Sequence, residues 1–136
     1  MAKSENKEQQ FRDELLAAWE ETYKKGQLTL WIFLALKQGE KYVDEIKLFV
    51  EEKTMGTLTC EEQSLYRTLR KYKELNMVDF KNRPGEGGPE RKYYFLTPLG
   101  LDLLHKFTDR NMQLFYNPEI KNLMFNVMFY VLCMYI

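Results

Sequence analysis

Apolar positions along the chain recur with two different periods, and the switch between them marks its organising stretch, residues 59–97. In the first half Leu65, Leu69, Tyr72 and Leu75 recur every three or four residues, the spacing of a helix with one buried stripe. Thr59 and Glu62 match a capping box at the helix start, and Asn76 suits the left-handed conformation that closes a helix. The second half alternates. Val78 and Phe80 point one way and Asp79, Lys81 and Arg83 the other, as a half-buried strand requires. A turn of Pro84, Gly85, Gly87, Gly88 and Pro89 then reverses the chain into a return strand over residues 91–96. A helix running into a two-stranded ribbon with basic residues at its tip is the plan of a winged helix.

The flanking segments fit that plan. After a polar, frayed start over residues 1–6, residues 7–23 place Phe11, Leu15, Ala18, Trp19, Thr22 and Tyr23 on one side of a helix. Glu8, Asp13, Glu14, Glu20 and Glu21 form its acidic outer face, and Lys24, Lys25 and Gly26 make a good C-terminus. Such a helix must dock its stripe on the core or on a second subunit. Residues 28–36 are nearly all apolar, so periodicity alone does not separate buried helix from buried strand. Helix is the choice here, because Gly39 closes it and the plan needs one. Val43, Ile46, Phe49 and Val50 mark a support helix over 43–53, and a loop of Thr54, Met55, Gly56 and Thr57 leads on to Thr59. Beyond the ribbon Thr97 caps a helix with Pro98 at its first position. Leu101, Leu104, Phe107, Leu114 and Phe115 give that segment an apolar side until Asn117-Pro118 interrupts it.

The last stretch, 119–136, is apolar on nearly every side. A second subunit, its own domain or a membrane are the three surfaces that would bury it, with the subunit preferred. Fourteen residues from Leu123 to Ile136 rise only about 21 Å as a helix against a bilayer core of about 30 Å, so spanning is not expected.

Charge sharpens the reading of the central stretch. Rotation by 100° per residue sets Gln63, Ser64, Arg67, Arg70, Lys71 and Glu74 opposite the leucine stripe. Arginine and lysine suit guanine edges, glutamine suits adenine, and hydroxyls and cations suit phosphates. Between Gln63 and Lys92 stand eight cations against four anions, a local excess of four. A plain solvated helix beside a surface hairpin is the bland alternative. The adjoining basic turn, flanked by Lys81, Arg83, Arg91 and Lys92, favours double-stranded DNA as the expected partner.

The same residues carry a likeness. Ser64-Leu65-Tyr66-Arg67-Thr68-Leu69, then Gly87-Gly88-Pro89-Glu90-Arg91-Lys92-Tyr93-Tyr94-Phe95-Leu96-Thr97 and Gly100, resemble the PadR family of bacterial transcriptional regulators. The likeness runs less sharply over about residues 28–104. It implies a homodimeric winged helix-turn-helix repressor whose helix after the wing helps make the dimer, with Ser64, Tyr66 and Arg67 at the DNA. This chain departs from the family pattern at Tyr42-Val43-Asp44, where members carry His-Gly-Tyr, and at Glu62-Gln63, where small residues are usual. Glu61 and Glu62 put two negative charges at the leading end of the recognition helix.

Composition bounds the rest. At 136 residues, 45% hydrophobic and 29% charged, the chain suits one globular unit. Twenty basic and 20 acidic residues leave no net charge, so cations must be segregated if they are to meet DNA. Two cysteines give no disulfide framework and no secretory leader is read ahead of the first helix, which makes a reducing cytoplasm the expected compartment. The lone His105 has no ligand partner at metal spacing, Ser64 has no acid-base partner, and the wing glycines do not lie between a strand and a helix. Neither metal, cofactor nor catalytic residue is expected. Seven methionines and many aromatics, Trp19 and Trp31 among them, suit either core filling or a pocket for a small hydrophobic effector.

The expectation is therefore a mainly α fold with a small two-stranded antiparallel wing. Residues 1–26 form an N-terminal amphipathic helix, 27–97 the winged helix-turn-helix, and 98–136 a C-terminal dimerisation region. Phe11, Leu15, Trp19, Leu104, Phe107, Leu114 and Phe115 are the candidate subunit contacts. The expected function is an effector-responsive DNA-binding regulator, and the rival is a winged-helix module that binds a protein partner without DNA.

Overall fold

The computed structural model describes residues 2–126. Six helices and one antiparallel hairpin follow in the order α1 (Ala2–Lys24), α2 (Gln27–Gln38), α3 (Val43–Lys53), α4 (Glu62–Glu74), β1 (Val78–Pro84), β2 (Glu90–Leu96), α5 (Pro98–Asn111) and α6 (Pro118–Phe125), with a 3-10 turn (Gln113–Tyr116) before α6. The apolar run at 28–36 is a helix, as the plan required. It supplies Ile32, Phe33, Ala35 and Leu36 to the core. Val43, Ile46 and Val50 from α3, Leu65 and Leu69 from α4, Val78, Tyr94 and Leu104 complete it. The expectations that fell on Val127, Met128, Phe129, Tyr130, Val131, Leu132, Cys133 and Ile136 lie outside the described residues. No helix among the described residues is long and apolar enough to cross a membrane.

Three local expectations are corrected. Residues 2–6 continue α1 rather than fraying, since glycine and proline are absent there and Glu5 complements the positive end of the helix dipole. The capping box of Thr59 and Glu62 does not form. Cys60 is buried and holds the chain extended ahead of the helix, so α4 starts at Glu62 with Glu61 at the cap and no side-chain cap bond. Leu75 leaves the stripe: it is the residue that ends α4 and stands exposed. Asn76 does close the helix, at φ 61°. Its N–H donates to the Lys73 carbonyl and the Met77 N–H to the Tyr72 carbonyl at 2.9 Å, the paired bonds of a Schellman closure.

That closure sets the angle between α4 and the hairpin, and the start of α5 locks onto it. The Thr97 hydroxyl donates to the Asn76 carbonyl at 2.6 Å and accepts from the Gly100 N–H at 3.0 Å. Met77 O accepts from the Thr97 N–H at 3.1 Å. Gly100 packs so tightly on this corner that a Cβ there would lie 2.0 Å from the Met77 carbonyl oxygen. Glycine to alanine inside a helix ordinarily stabilises by about 0.5–1 kcal/mol. At this position the carbonyl clash reverses the sign. Gly100→Ala is expected to lower unfolding free energy by about 1–3 kcal/mol in urea titration, and a neutral or stabilising result would mean that the corner is not closed as described.

Candidate nucleic-acid interface

Strand alternation decides where the basic residues go. Val78 pairs with Leu96, Phe80 with Tyr94 and Asn82 with Lys92, while Lys81 pairs with Tyr93 and Arg83 with Arg91. Val78 and Tyr94 are buried, so the first set faces the domain and α4. Lys92 consequently lies on the α4 side with its amine over the Phe80 ring, which Lys73 also covers. Lys81, Arg83 and Arg91 share the other face, which meets the turn between α2 and α3. There Lys41 joins β2 through reciprocal backbone bonds with Tyr94, at 3.1 and 2.8 Å. Its amine donates to the Ala35 carbonyl at 2.7 Å, and burial holds that amine below the usual lysine range against the pull of Glu45.

On the outer face cations and rings alternate. The Arg91 guanidinium sits 4.4 Å from the Tyr42 ring, Tyr42 meets Tyr93 edge-on at 5.5 Å, and Arg83 lies over Tyr93. Lys81 lies over Phe95. Glu40 closes the row: Arg83 Nη2 is 2.7 Å and Lys81 Nζ 3.8 Å from its carboxylate. Counting charges along 63–92 missed Glu40, because it stands 41 residues before Lys81 and reaches the wing only through the Lys41–Tyr94 pairing. No local sequence signal marks it.

The outer flank of α4 is simpler. Gln63, Tyr66, Arg67, Arg70 and Lys71 are exposed and Ser64 half-buried. Among the described residues neither Arg67 nor Arg70 enters an ion pair. Tyr66 borders a cleft of about 360 Å³ with Arg91 and Lys92, in which Tyr42, Asp44, Glu62 and Glu90 also take part. Two expected cations and the expected tyrosine are thus brought together, beside three carboxylates. Tyr94 forms the floor, its phenol pushed above the usual range by burial, with Tyr66 adding and nearby Arg70 subtracting. Lys71 stands apart. It lines a second cleft of about 650 Å³ between α2, α4 and α5, with Leu30, Phe33, Tyr72, Met77, Phe107 and Arg110.

Of the expected subunit contacts, Leu104 is corrected: at 3% exposed it belongs to the chain's own core, because α5 packs against α2 and β2 along that side. Phe11, Leu15, Trp19, Phe107, Leu114 and Phe115 stand exposed, Trp19 by 73%. Neither tryptophan lines the larger cleft. Trp31 is packed against the core instead and Trp19 lies on the exposed α1. Lys37 Nζ lies 2.9 Å from His105 Nε2. No three of His, Cys, Asp and Glu among the described residues gather to hold a metal.

Tyr42→Ala removes the ring between Arg91 and Tyr93. Cation–π and edge-on ring contacts of this kind are each worth about 0.5–1 kcal/mol at exposed sites. The variant is expected to lose about 1–2 kcal/mol of stability and to be cut faster by trypsin after Arg91 and Lys92. Unchanged wing cleavage would mean that the stack does not order the hairpin.

The sequence profile of the transcriptional regulator PadR-like family matches residues 32–106. A PadR-like transcription factor from Bacteroides fragilis is 27% identical, with a TM-score of 0.59 over 71% of this chain and 91% of its own. A PadR-like transcriptional regulator from Bacillus cereus is 24% identical, with a TM-score of 0.63 over 77% of this chain and 98% of its own. PadR from Bacillus subtilis in complex with operator DNA is 24% identical, with a TM-score of 0.54 over 59% of this chain and 45% of its own. No curated protein matches the sequence.

Proposed function

The chain belongs to the transcriptional regulator PadR-like family, and from that premise we propose that it acts as a homodimeric, sequence-specific DNA-binding repressor in the cytoplasm. The observation that carries this reading is the solvent-facing flank of α4, where Gln63, Tyr66, Arg67 and Arg70 stand beside a wing that offers Arg91 and Lys92. In the proposed complex the two α4 helices enter successive major grooves about 34 Å apart on a pseudo-palindromic site. Arg67 and Arg70 read or brace the groove, and the wing cations hold the neighbouring backbone. The Bacillus subtilis relative is bound to operator DNA, and the same partner class is carried here as part of the proposal.

The apolar stripe of α1 supports a second copy as partner. Phe11, Leu15 and Trp19 line a helix with no buried residue. Phe107, Leu114 and Phe115 extend the same kind of surface after the wing. A small hydrophobic effector would enter the larger cleft beside α5 and act by favouring one spacing of the two wings over another.

A second reading, an interaction module that does not bind DNA, is favoured by one observation: Asp44, Glu62 and Glu90 line the cleft between recognition helix and wing. Salt titration separates the two. A regulator binds random duplex DNA at about 50 mM salt and loses affinity steeply as salt rises, since each phosphate contact releases counterions; a module shows no affinity even there.

Arg67→Ala combined with Arg70→Ala is expected to abolish operator binding in a gel shift while the dimer persists in sedimentation. Operator retention by that double variant would sink the assignment of α4 as the reading helix.

A further inference from the structure

The wing carries four cations in reach of a duplex, but two of them already have a counterion. Arg83 and Lys81 share the Glu40 carboxylate, with the guanidinium at 2.7 Å. Glu40 Oε2 is closed off from solvent and makes no well-directed hydrogen bond, so the Arg83 charge is what offsets its burial. The side chains of Lys81 and Arg83 remain 60% and 51% exposed, open to an incoming phosphate from their outer side. Carboxylate and phosphate oxygens are both anionic acceptors for guanidinium and ammonium donors. Glu40 and a phosphate therefore compete for the charge of Lys81 and Arg83.

We propose that Glu40 acts as an intramolecular phosphate mimic that occupies the Lys81–Arg83 pair and sets how much the wing adds to DNA affinity. The inference rests on the DNA-binding reading above. Its physical content is a count. With Glu40 in place this part of the wing offers one net positive charge to the duplex, and without it two. Arg91 and Lys92 are outside this control. Arg91 is held by a ring rather than by a carboxylate, and Lys92 faces α4. Glu40 is thus a residue that tunes affinity without itself reading sequence.

The test is a double-mutant cycle read by salt-dependent binding to one duplex. Neutralising one further phosphate steepens the slope of log K against log salt by about 0.9, which at 0.1 M salt amounts to about eightfold in affinity. Glu40→Gln is expected to show that gain and that steeper slope. In a Lys81→Ala/Arg83→Ala background the same change is expected to do nothing, because there is no pair left to release. Glu40→Ser, a second uncharged replacement, keeps the test decisive if the glutamine variant folds poorly. Equal gains in both backgrounds, or no gain in the parent chain, overturn the proposal while leaving DNA binding intact. Absence of binding by the parent chain at 50 mM salt removes the regulator reading and this inference with it.

Discussion

The alternation of side chains along a strand is the constraint on which the rest of this structure depends. Successive residues of a strand point to opposite faces. Once Val78 and Tyr94 are buried, every other residue of the hairpin is assigned a side without further choice. Lys92 must face α4, and Lys81 and Arg83 must face the turn that carries Glu40. A register slip of one residue would exchange the two sets and bury charge in place of Val78 and Tyr94. The reciprocal bonds between Lys41 and Tyr94 hold β2 in place against the turn that follows α2. The placement of the wing cations thus follows from hydrophobic burial rather than from any attraction to a ligand.

Helices and hairpin were legible because their signals are local. The Leu65 and Leu69 spacing of α4, the Asn76 closure and the Thr97-Pro98 start of α5 each act within a few residues, and each forms as read. The same stretch of sequence also contains the failures. Thr59 and Glu62 have the spacing of a capping box, but burial of Cys60 outweighs a cap bond worth about 1 kcal/mol. Leu104 has the spacing of an interface stripe, yet its side of α5 is already covered by α2 and β2. In both cases long-range packing overrides a correct local pattern.

The interface was legible as composition and not as geometry. Counting charges between Gln63 and Lys92 gave one basic cluster, whereas the fold disperses it, leaving Arg67 and Arg70 on the exposed flank of α4 and pairing Lys73 with Asp79. Arg91 and Lys92 border a cleft beside Tyr66, Lys71 turns into the cleft by α5, and Lys81 and Arg83 are taken by Glu40. Partition of this kind needs the register and the contact between the α2–α3 turn and β2, neither of which is written in the run of charges. The resemblance in the wing, by contrast, pointed to the right family because it spans the corner that fixes the hairpin. Gly100 is part of that likeness, and its closeness to the Met77 carbonyl gives the physical reason why glycine stands there.

A chain with equal numbers of basic and acidic residues cannot approach DNA through its overall field. It needs an arrangement in which acidic surface is turned elsewhere, and α1 has that character. Its outer residues include Glu8, Asp13, Glu14 and Glu21, while its apolar stripe bears Phe11, Leu15, Trp19 and Tyr23 with no cover from its own domain. Full burial of a large apolar side chain is worth about 1.5–3 kcal/mol. Several such side chains, counted from both copies of the proposed dimer, are of the size that association costs, about 4–15 kcal/mol. Assembly would thus draw on α1 and the exposed part of α5, and DNA affinity on α4 and the wing. Because the two sets of side chains do not overlap, a change of charge on α4 leaves the apolar stripe of α1 untouched. In the proposed role Glu40 would act on the wing alone, since its carboxylate pairs with Lys81 and Arg83 of the hairpin.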